Sequence, residues 1–336
     1  MVAIKYSVSP RRRGGIILAA AVVALSLAPS LSAQTVQPVT VAFIGDQGSG
    51  ESARAVLRLI KARGADMVLH QGDFDYDDDP DAWDAAISDV LGRDFPLFAA
   101  VGNHDTARWG GPGGYQAKLQ ARLRRIAGAR CNGDLGVMSA CTYRGLFFIL
   151  SGVGTMPKDY PDEPRHVAYI KDQLAKTDAT WRICSWHKNQ AAMQVGGKTD
   201  QVGWEAYEAC REGGAIVATA HEHSYARTHL MDSFKLQRLV STSKILVVEK
   251  GNTFAFVSGL GGRSIRDQER DGAWWASIFT KNQGADFGAL FCTFNVSGDP
   301  TRADCHFRDV SGRMADRFDV VSAVAGATKA RRTAGQ

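Results

Sequence analysis

Several common signatures are missing from this 336-residue chain, and each absence excludes a class of protein. Six cysteines are too few for a disulfide mini-scaffold, and none forms a Cys-x-x-Cys pair. With 45% hydrophobic and 22% charged residues, the sequence lacks the poverty in apolar residues and the charge imbalance of a disordered chain. There is no internal repeat and no linker. The longest apolar run, 16–28, falls well short of the ~20 residues needed to span a bilayer, and polar sequence follows it, so no stable membrane anchor is expected. What remains is one large globular domain or two small ones, a size at which folding buries about 75% of the unfolded chain's surface.

A more local absence is that of Asp and Glu from the first 33 residues, which nevertheless carry Lys5, Arg11, Arg12 and Arg13. A basic start, an apolar run and then Pro29-Ser30-Leu31-Ser32-Ala33 make up a signal peptide with cleavage expected after Ala33. Ser9-Pro10-Arg11-Arg12-Arg13 hints at twin-arginine export but does not decide between the two export routes. Taking those four cations from the chain's 40 Lys and Arg leaves 36 against 35 Asp and Glu, a nearly neutral mature protein. No clustered basic stripe remains to track a phosphate backbone, so no nucleic-acid partner is expected. Lys329, Arg331 and Arg332 belong to a flexible C-terminal tail, 323–336, after a catalytic domain placed at 34–322. Export to a periplasmic or extracellular location allows disulfides. Proximity in sequence pairs Cys131 with Cys141 and Cys292 with Cys305, which leaves Cys184 with Cys210. The oligomeric state is not legible.

Strand-like runs fall at 39–44, 66–70, 95–101, 146–151, 181–185 and 215–220, with amphipathic helix patterns at 52–62, 80–91, 115–126, 165–176 and 201–211. From Phe254 onward the pattern is strands and turns, with a hairpin expected over 289–307 through Ser297-Gly298-Asp299-Pro300. Alternating strands and helices predict an α/β layered sheet covered on both faces, with ligands outside the carboxyl ends of the strands.

Residues able to do chemistry stand at those strand ends. They are Gly45-Asp46-Gln47-Gly48, Gly72-Asp73-Phe74-Asp75-Tyr76, Gly102-Asn103-His104-Asp105, Ser185-Trp186-His187 and Ala220-His221-Glu222-His223. Singly, each is an ordinary turn or loop. Five in succession suit a two-metal centre, where one carboxylate bridges two cations through its two oxygens and imidazoles and an amide oxygen complete the shells. His221 and His223, two apart, point the same way in extended chain and can serve adjacent ions, and Asp73 and Tyr76 can converge on one ion across a turn.

This order, GDxG, GDxxY, GNH(D/E), H and HxH, closely resembles the calcineurin-like metallophosphoesterases and, within them, the purple acid phosphatases. The resemblance covers about 180 residues and implies a layered α-β-β-α sandwich. It implies that Asp46, Asp73, Tyr76 and His223 hold a ferric ion. Asp73 would bridge to a divalent ion (Fe, Zn or Mn) held by Asn103, His187 and His221. Gly48 stands where the wider superfamily has a His, as in the purple branch. Two aspartates and a tyrosinate set against a ferric and a divalent ion leave about +2, which attracts a phosphate dianion, and Tyr favours Fe(III) because only a strongly acidic metal ionises a phenol readily. The implied activity is phosphate monoester hydrolysis by a metal-bound hydroxide on a small phosphorylated substrate. Asn103 and His104 would contact the phosphate, and His104 would act as general acid. A phosphodiesterase of the same superfamily is the alternative, and a non-catalytic secreted metal- or phosphate-binding protein a second one.

The pattern departs from the family at one place. Mammalian-like relatives carry a second His nine residues after the position of His187; here Gly196 stands there, with Lys188, Gln190, Gln194 and Lys198 as candidate phosphate contacts nearby. Gly259-Leu260-Gly261-Gly262 lacks the helix and Lys-Ser/Thr of a phosphate loop and reads as a turn beside the site. Asp75, Asp77, Asp78, Asp79 and Asp81 lack EF-hand spacing and read as a solvated helix start. His70, His166, His229 and His306 fit no ligand spacing.

Overall fold

The structure is a computed structural model describing residues 1–10, 36–157, 163–199 and 202–324. The expected signal segment and C-terminal tail fall mostly on 11–33 and 325–336, outside the described residues. The described residues from 36 onward belong to one compact unit.

Along the chain the elements are β1 (Val39–Ile44), α1 (Glu51–Ala62), β2 (Met67–His70), α2 (Pro80–Leu91), β3 (Leu97–Ala99), α3 (Tyr115–Leu123), β4 (Arg130–Asp134), β5 (Met138–Tyr143), β6 (Leu146–Ser151), α4 (Glu163–Lys176), β7 (Trp181–Ser185), α5 (Glu205–Glu212) and β8 (Ile216–Thr219). An all-strand stretch follows: β9 (Tyr225–Thr228), β10 (Leu230–Ser233), β11 (Arg238–Ser241), β12 (Ile245–Val248), β13 (Ala255–Ser258), β14 (Trp275–Phe279), β15 (Gly288–Phe294), β16 (Arg302–Asp309) and β17 (Met314–Ser322).

The strands divide between two large sheets, ordered β12-β17-β16-β15-β1-β2-β3 and β14-β9-β13-β8-β7-β6-β5-β4, with β10-β11 a separate ribbon. Each large sheet has a parallel centre, β1-β2-β3 in one and β6-β7-β8-β13 in the other, extended by antiparallel strands. Helices α1 and α3 pack on the first sheet, and α4 and α5 on the second. The layered α-β-β-α sandwich that the resemblance implies is therefore what the chain forms: each sheet is covered by helices on one face and by the other sheet on the other. The strands alone do not reveal this, because both kinds of cover demand the same apolar faces.

The inner faces meet through aromatic pairs, Phe43 with Phe256 (5.1 Å between ring centroids), Phe98 with Phe148 (4.7 Å) and Trp181 with Phe294 (4.9 Å). Helix α1 buries Ala53, Val56, Leu57 and Ile60, the three- and four-residue spacing of one helical face. At the start of α2, the Asp79 carboxylate accepts from Ala82 N at 2.9 Å and Pro80 takes the first turn. Asp75 accepts from Asp77 N, Asp79 N and the Tyr115 hydroxyl. Asp79 is thus part of the helix start its sequence suggested, whereas Asp75 is buried rather than solvated. Helix α5 begins at Glu205 rather than 201, because Glu163 holds Gly203 N ahead of it at 3.0 Å.

The disulfides are Cys131 with Cys141, Cys184 with Cys210 and Cys292 with Cys305, the pairing expected from sequence. Two of them join directly opposed residues of antiparallel neighbours, β4 to β5 and β15 to β16. Strand β4 is polar and mostly exposed, and its pairing with β5 is what makes it a strand, so its own residues give no signal. Among the described residues no helix is long and apolar enough to cross a membrane.

Candidate metal centre

The chain leaves the carboxyl ends of β1, β2, β3, β7 and β8 in loops that meet at the top of the sandwich. These loops are bent hard. Asp46, Asp73, Tyr76 and His221 have φ of 55°, 58°, 66° and 67°, a left-handed region that costs a non-glycine residue about 1–2 kcal/mol. Backbone bonds hold them there: Asp46 N to Gly72 O (3.1 Å), Gln47 N to Asp73 O (2.9 Å) and Gly48 N to Phe74 O (2.9 Å). Gly72 and Gly102 allow the β2 and β3 loops to touch, since a Cβ on Gly72 would lie 2.6 Å from Gly102 N, and one on Gly102 would collide with Asp73 N. Beneath them Asp105 is buried and accepts from Asp73 N (2.9 Å), Phe74 N (2.8 Å) and Gly102 N (2.7 Å). Burial and the neighbouring Asp73 push its pKa up to about 8, against the pull of its N–H donors.

The seven candidate ligands fall into two donor groups. In one, Tyr76 OH lies 3.1 Å from Asp46 Oδ1 and 3.3 Å from His223 Nε2, and His223 Nε2 lies 3.3 Å from Asp46 Oδ1. In the other, His187 Nε2 lies 3.2 Å from Asp73 Oδ2, 3.2 Å from Asn103 Oδ1 and 3.1 Å from His221 Nδ1. Ligands about 2.1 Å from a common ion, at right angles, stand about 3 Å apart. The donor spacing therefore fits two ions.

The chemistry of the second group makes the same point. His187 Nδ1 donates to Gln71 O at 2.7 Å, so in the neutral ring Nε2 is a lone pair. That lone pair faces a carboxylate oxygen and an amide oxygen, acceptors against an acceptor in a fully buried place. A positive charge, shared by all these acceptors, resolves this. Without a metal, a second proton is the substitute: burial lowers the pKa of His187, but Asp73 and Asp46 more than offset it and hold it raised. Burial raises the carboxylates and the histidines more than offset this, leaving Asp46 and Asp73 lowered. Burial, with Asp46 and Asp73 beside it, drives the Tyr76 phenol far up, so ionising it requires a strong cation. Burial, His187 and Lys198 hold His221 lowered.

Asp73 Oδ1 accepts from His104 N at 2.9 Å while its Oδ2 faces His187 Nε2. One local expectation is revised. His221 is left-handed, not extended, and presents Nδ1 to one group while His223 presents Nε2 to the other.

His104 is exposed and lies on the Tyr76 ring, centroids 4.4 Å apart, outside both donor groups. Of the candidates after His187, Gln190 caps the short helix at Ala191–Met193 and Gln194 donates to Thr199 O at 2.7 Å, so both are structural. Lys188 is partly buried, and burial lowers its pKa against the pull of Asp73, while Lys198 Nζ reaches His221 Nδ1 at 3.2 Å. The glycine turn at 259–262 is beside the site, with Gly261 N on Gly45 O (3.0 Å) and Arg263 N on Asp46 O (3.0 Å). The segment just after this turn gave no sign of itself in the sequence: Ser264 Oγ sits on His223 Nδ1, Arg263 lies 4.6 Å over the Tyr76 ring, and Arg266 is 3.2 Å from Glu222. No spacing signals these three residues, since they lie some 40 residues beyond His223.

His70 is buried under the site. Gly72 N donates to its Nδ1 and its Nε2 meets Gln47 Oε1, and burial holds its pKa at about 3. His166 bonds Ser151 Oγ and Met156 O. Neither enters a donor group.

The family model for calcineurin-like phosphoesterase matches residues 39–225. Among solved structures, the fold is similar to the purple acid phosphatase PPD1 from yellow lupin (Lupinus luteus) seeds, with TM-score 0.60, 18% identity and 85% of this chain covered. This chain spans 54% of the length of that enzyme. It is also similar to GAP50, the anchor in the inner membrane complex of Plasmodium (TM-score 0.58, 12% identity, 88% of this chain and 94% of that one). A third similar structure is PhoD (TM-score 0.53, 13% identity, 90% and 78%). No curated protein matches the chain in sequence.

Proposed function

Because the chain belongs to the calcineurin-like phosphoesterase family, whose members act on phosphoesters, we propose that it is an exported phosphomonoesterase with a dinuclear centre. Asp46, Tyr76 and His223, with Asp73, would hold a ferric ion. Asp73, Asn103, His187 and His221 would hold a divalent one. The observation that carries this is the pair of donor groups, each spaced near 3 Å, with Asp73 Oδ2 and the Tyr76 phenol among the donors. Bound there, the ions would supply Lewis-acid charge to a phosphoryl oxygen and make a water acidic enough to attack phosphorus.

The chain's own residues would do the rest. Asp105 fixes the Asp73 loop and Gln71 O fixes the His187 tautomer, so the donors stand in place before substrate arrives. His104, exposed beside Tyr76, would give a proton to the leaving-group oxygen. Lys188, Lys198 and Arg263 line the rim, which suits the dianion of a monoester better than the single charge of a diester. Three disulfides fit an oxidising compartment and support export.

The test is metal content and visible absorption of the purified protein. Two metals per chain, one of them iron, with a tyrosinate band lost in Tyr76→Phe, support the reading; a colourless protein with two zinc or manganese ions ends the ferric part. Faster turnover of a bis-aryl phosphate than of an aryl phosphate would favour a diesterase. Likeness to an anchor protein raises a non-catalytic reading, which unchanged turnover in Asp73→Ala or His104→Ala would support. Sequencing the mature N-terminus tests cleavage after Ala33.

A further inference from the structure

We propose that Lys198 is the phosphate-binding, specificity-determining cation of this site, standing in for the histidine absent at Gly196. The inference rests on the dinuclear reading above.

Three observations lead to it. First, the place of a side chain at Gly196 is already occupied. A Cβ there would lie 2.5 Å from Glu222 Oε1 and 3.1 Å from Arg266 Cβ, so the space a residue at 196 needs is filled by a carboxylate reaching in from between His221 and His223. Glu222 is 0% exposed, and neither carboxylate oxygen completes a hydrogen bond, its nearest cation being Arg266 Nε at 3.2 Å. Such a group stays only where positive charge surrounds it.

Second, the loop after His187 is fixed in place. Arg270 binds four of its carbonyls: Nη1 to Ala191 O (3.1 Å), Gln194 O (2.8 Å) and Lys198 O (2.8 Å), and Nη2 to Gly197 O (3.2 Å). Lys198 therefore starts from a held stretch of backbone.

Third, Lys198 Nζ stands at the second donor group, 3.2 Å from His221 Nδ1 and bonded to His221 O. An ammonium has three N–H donors and no acceptor. When His221 Nδ1 spends its lone pair on a cation, the ammonium loses that partner while the carbonyl still anchors it. Its remaining donors then face the open side of the site, where a phosphate oxygen is the fitting acceptor.

The experiment uses the metal-loaded protein and inorganic phosphate as probe, with phosphate affinity by calorimetry and metal stoichiometry measured on each variant. Lys198→Met and Lys198→Gln should keep two metals per chain and bind phosphate ~10–100-fold more weakly, with KM for an aryl phosphate raised and kcat less affected, whereas Lys198→Arg should stay within a few-fold of wild type. Unchanged phosphate affinity in Lys198→Met and Lys198→Gln with both metals present overturns the inference and leaves the dinuclear reading standing. So does a loss of kcat at unchanged phosphate affinity, which would make Lys198 a proton donor. A wild-type protein that takes up no metal overturns both.

Discussion

Replacing Asp316 should destabilise the protein by an amount set by a single buried charge. Asp316 lies on β17, in one sheet, and receives the side chains of Tyr225 and Arg227 from β9, in the other. Its Oδ2 accepts from Arg227 Nε at 2.6 Å and from Tyr225 OH at 2.8 Å, and its Oδ1 from Arg227 Nη2 at 3.1 Å. Arg227 is 2% exposed, with its guanidinium 4.1 Å from the Phe318 ring centroid. In Asp316→Ala the guanidinium keeps only Thr228 O and the ring, and the phenol loses its acceptor. Breaking a buried ion pair from one side costs about 3–5 kcal/mol, and orphaning a buried hydroxyl about 1 more. At roughly 2 °C per kcal/mol for a domain of this size, Tm should fall by ~8–12 °C. The assay is denaturant and thermal unfolding of single and double variants. Removing both charges with Arg227→Met and Asp316→Leu should recover most of the loss, because a buried pair swapped for apolar groups of similar volume is nearly neutral. If Asp316→Ala stays within ~1 kcal/mol of wild type, or the double variant is as unstable as the single, the bridge between sheets is not an uncompensated-charge problem and the reasoning fails.

Asp105→Ala would orphan three backbone N–H groups under Asp73, so metal affinity should drop ~10–100-fold in an equilibrium titration, and full affinity would contradict its positioning role. His70 has a folded pKa of about 3 against an ordinary 6.5, so the folded chain binds fewer protons than the unfolded one in between. Its contribution to stability is complete above about pH 6.5 and declines by up to ~1.4 kcal/mol per pH unit as pH falls toward 3, and His70→Gln should flatten the acid limb of the stability curve by that slope. Replacing Cys292 and Cys305 together with Ala should cost ~3 kcal/mol by freeing a short loop in the unfolded chain, visible as a lower denaturation midpoint; an unchanged midpoint would show that the β15 to β16 pairing alone holds this edge.

What could be read from the chain depends on the reach of each signal. Helix α2 was legible from its apolar spacing and from Asp79-Pro80 at its start, and β1, β6 and β7 from short apolar runs buried on both faces. The candidate ligands were legible because each sits within a few residues of a strand end, where polar residues that can bind a cation are conspicuous after an apolar run. The disulfides were legible because their partners lie 10, 26 and 13 residues apart.

Tertiary structure decided everything that depends on distant residues meeting. His221 N donates to an Asp46 oxygen 175 positions away, and neither residue's neighbours announce the other. Glu222 fills the place a side chain at Gly196 would take, and of Lys188, Gln190, Gln194 and Lys198 the two glutamines are spent on their own loop, which no local spacing shows. Local spacing determines which face of a helix or strand is apolar and where the chain turns. Which two turns share one buried pocket is settled only when the sheets pack, because the cost of burying an unpaired charge or lone pair exists only after water has been removed.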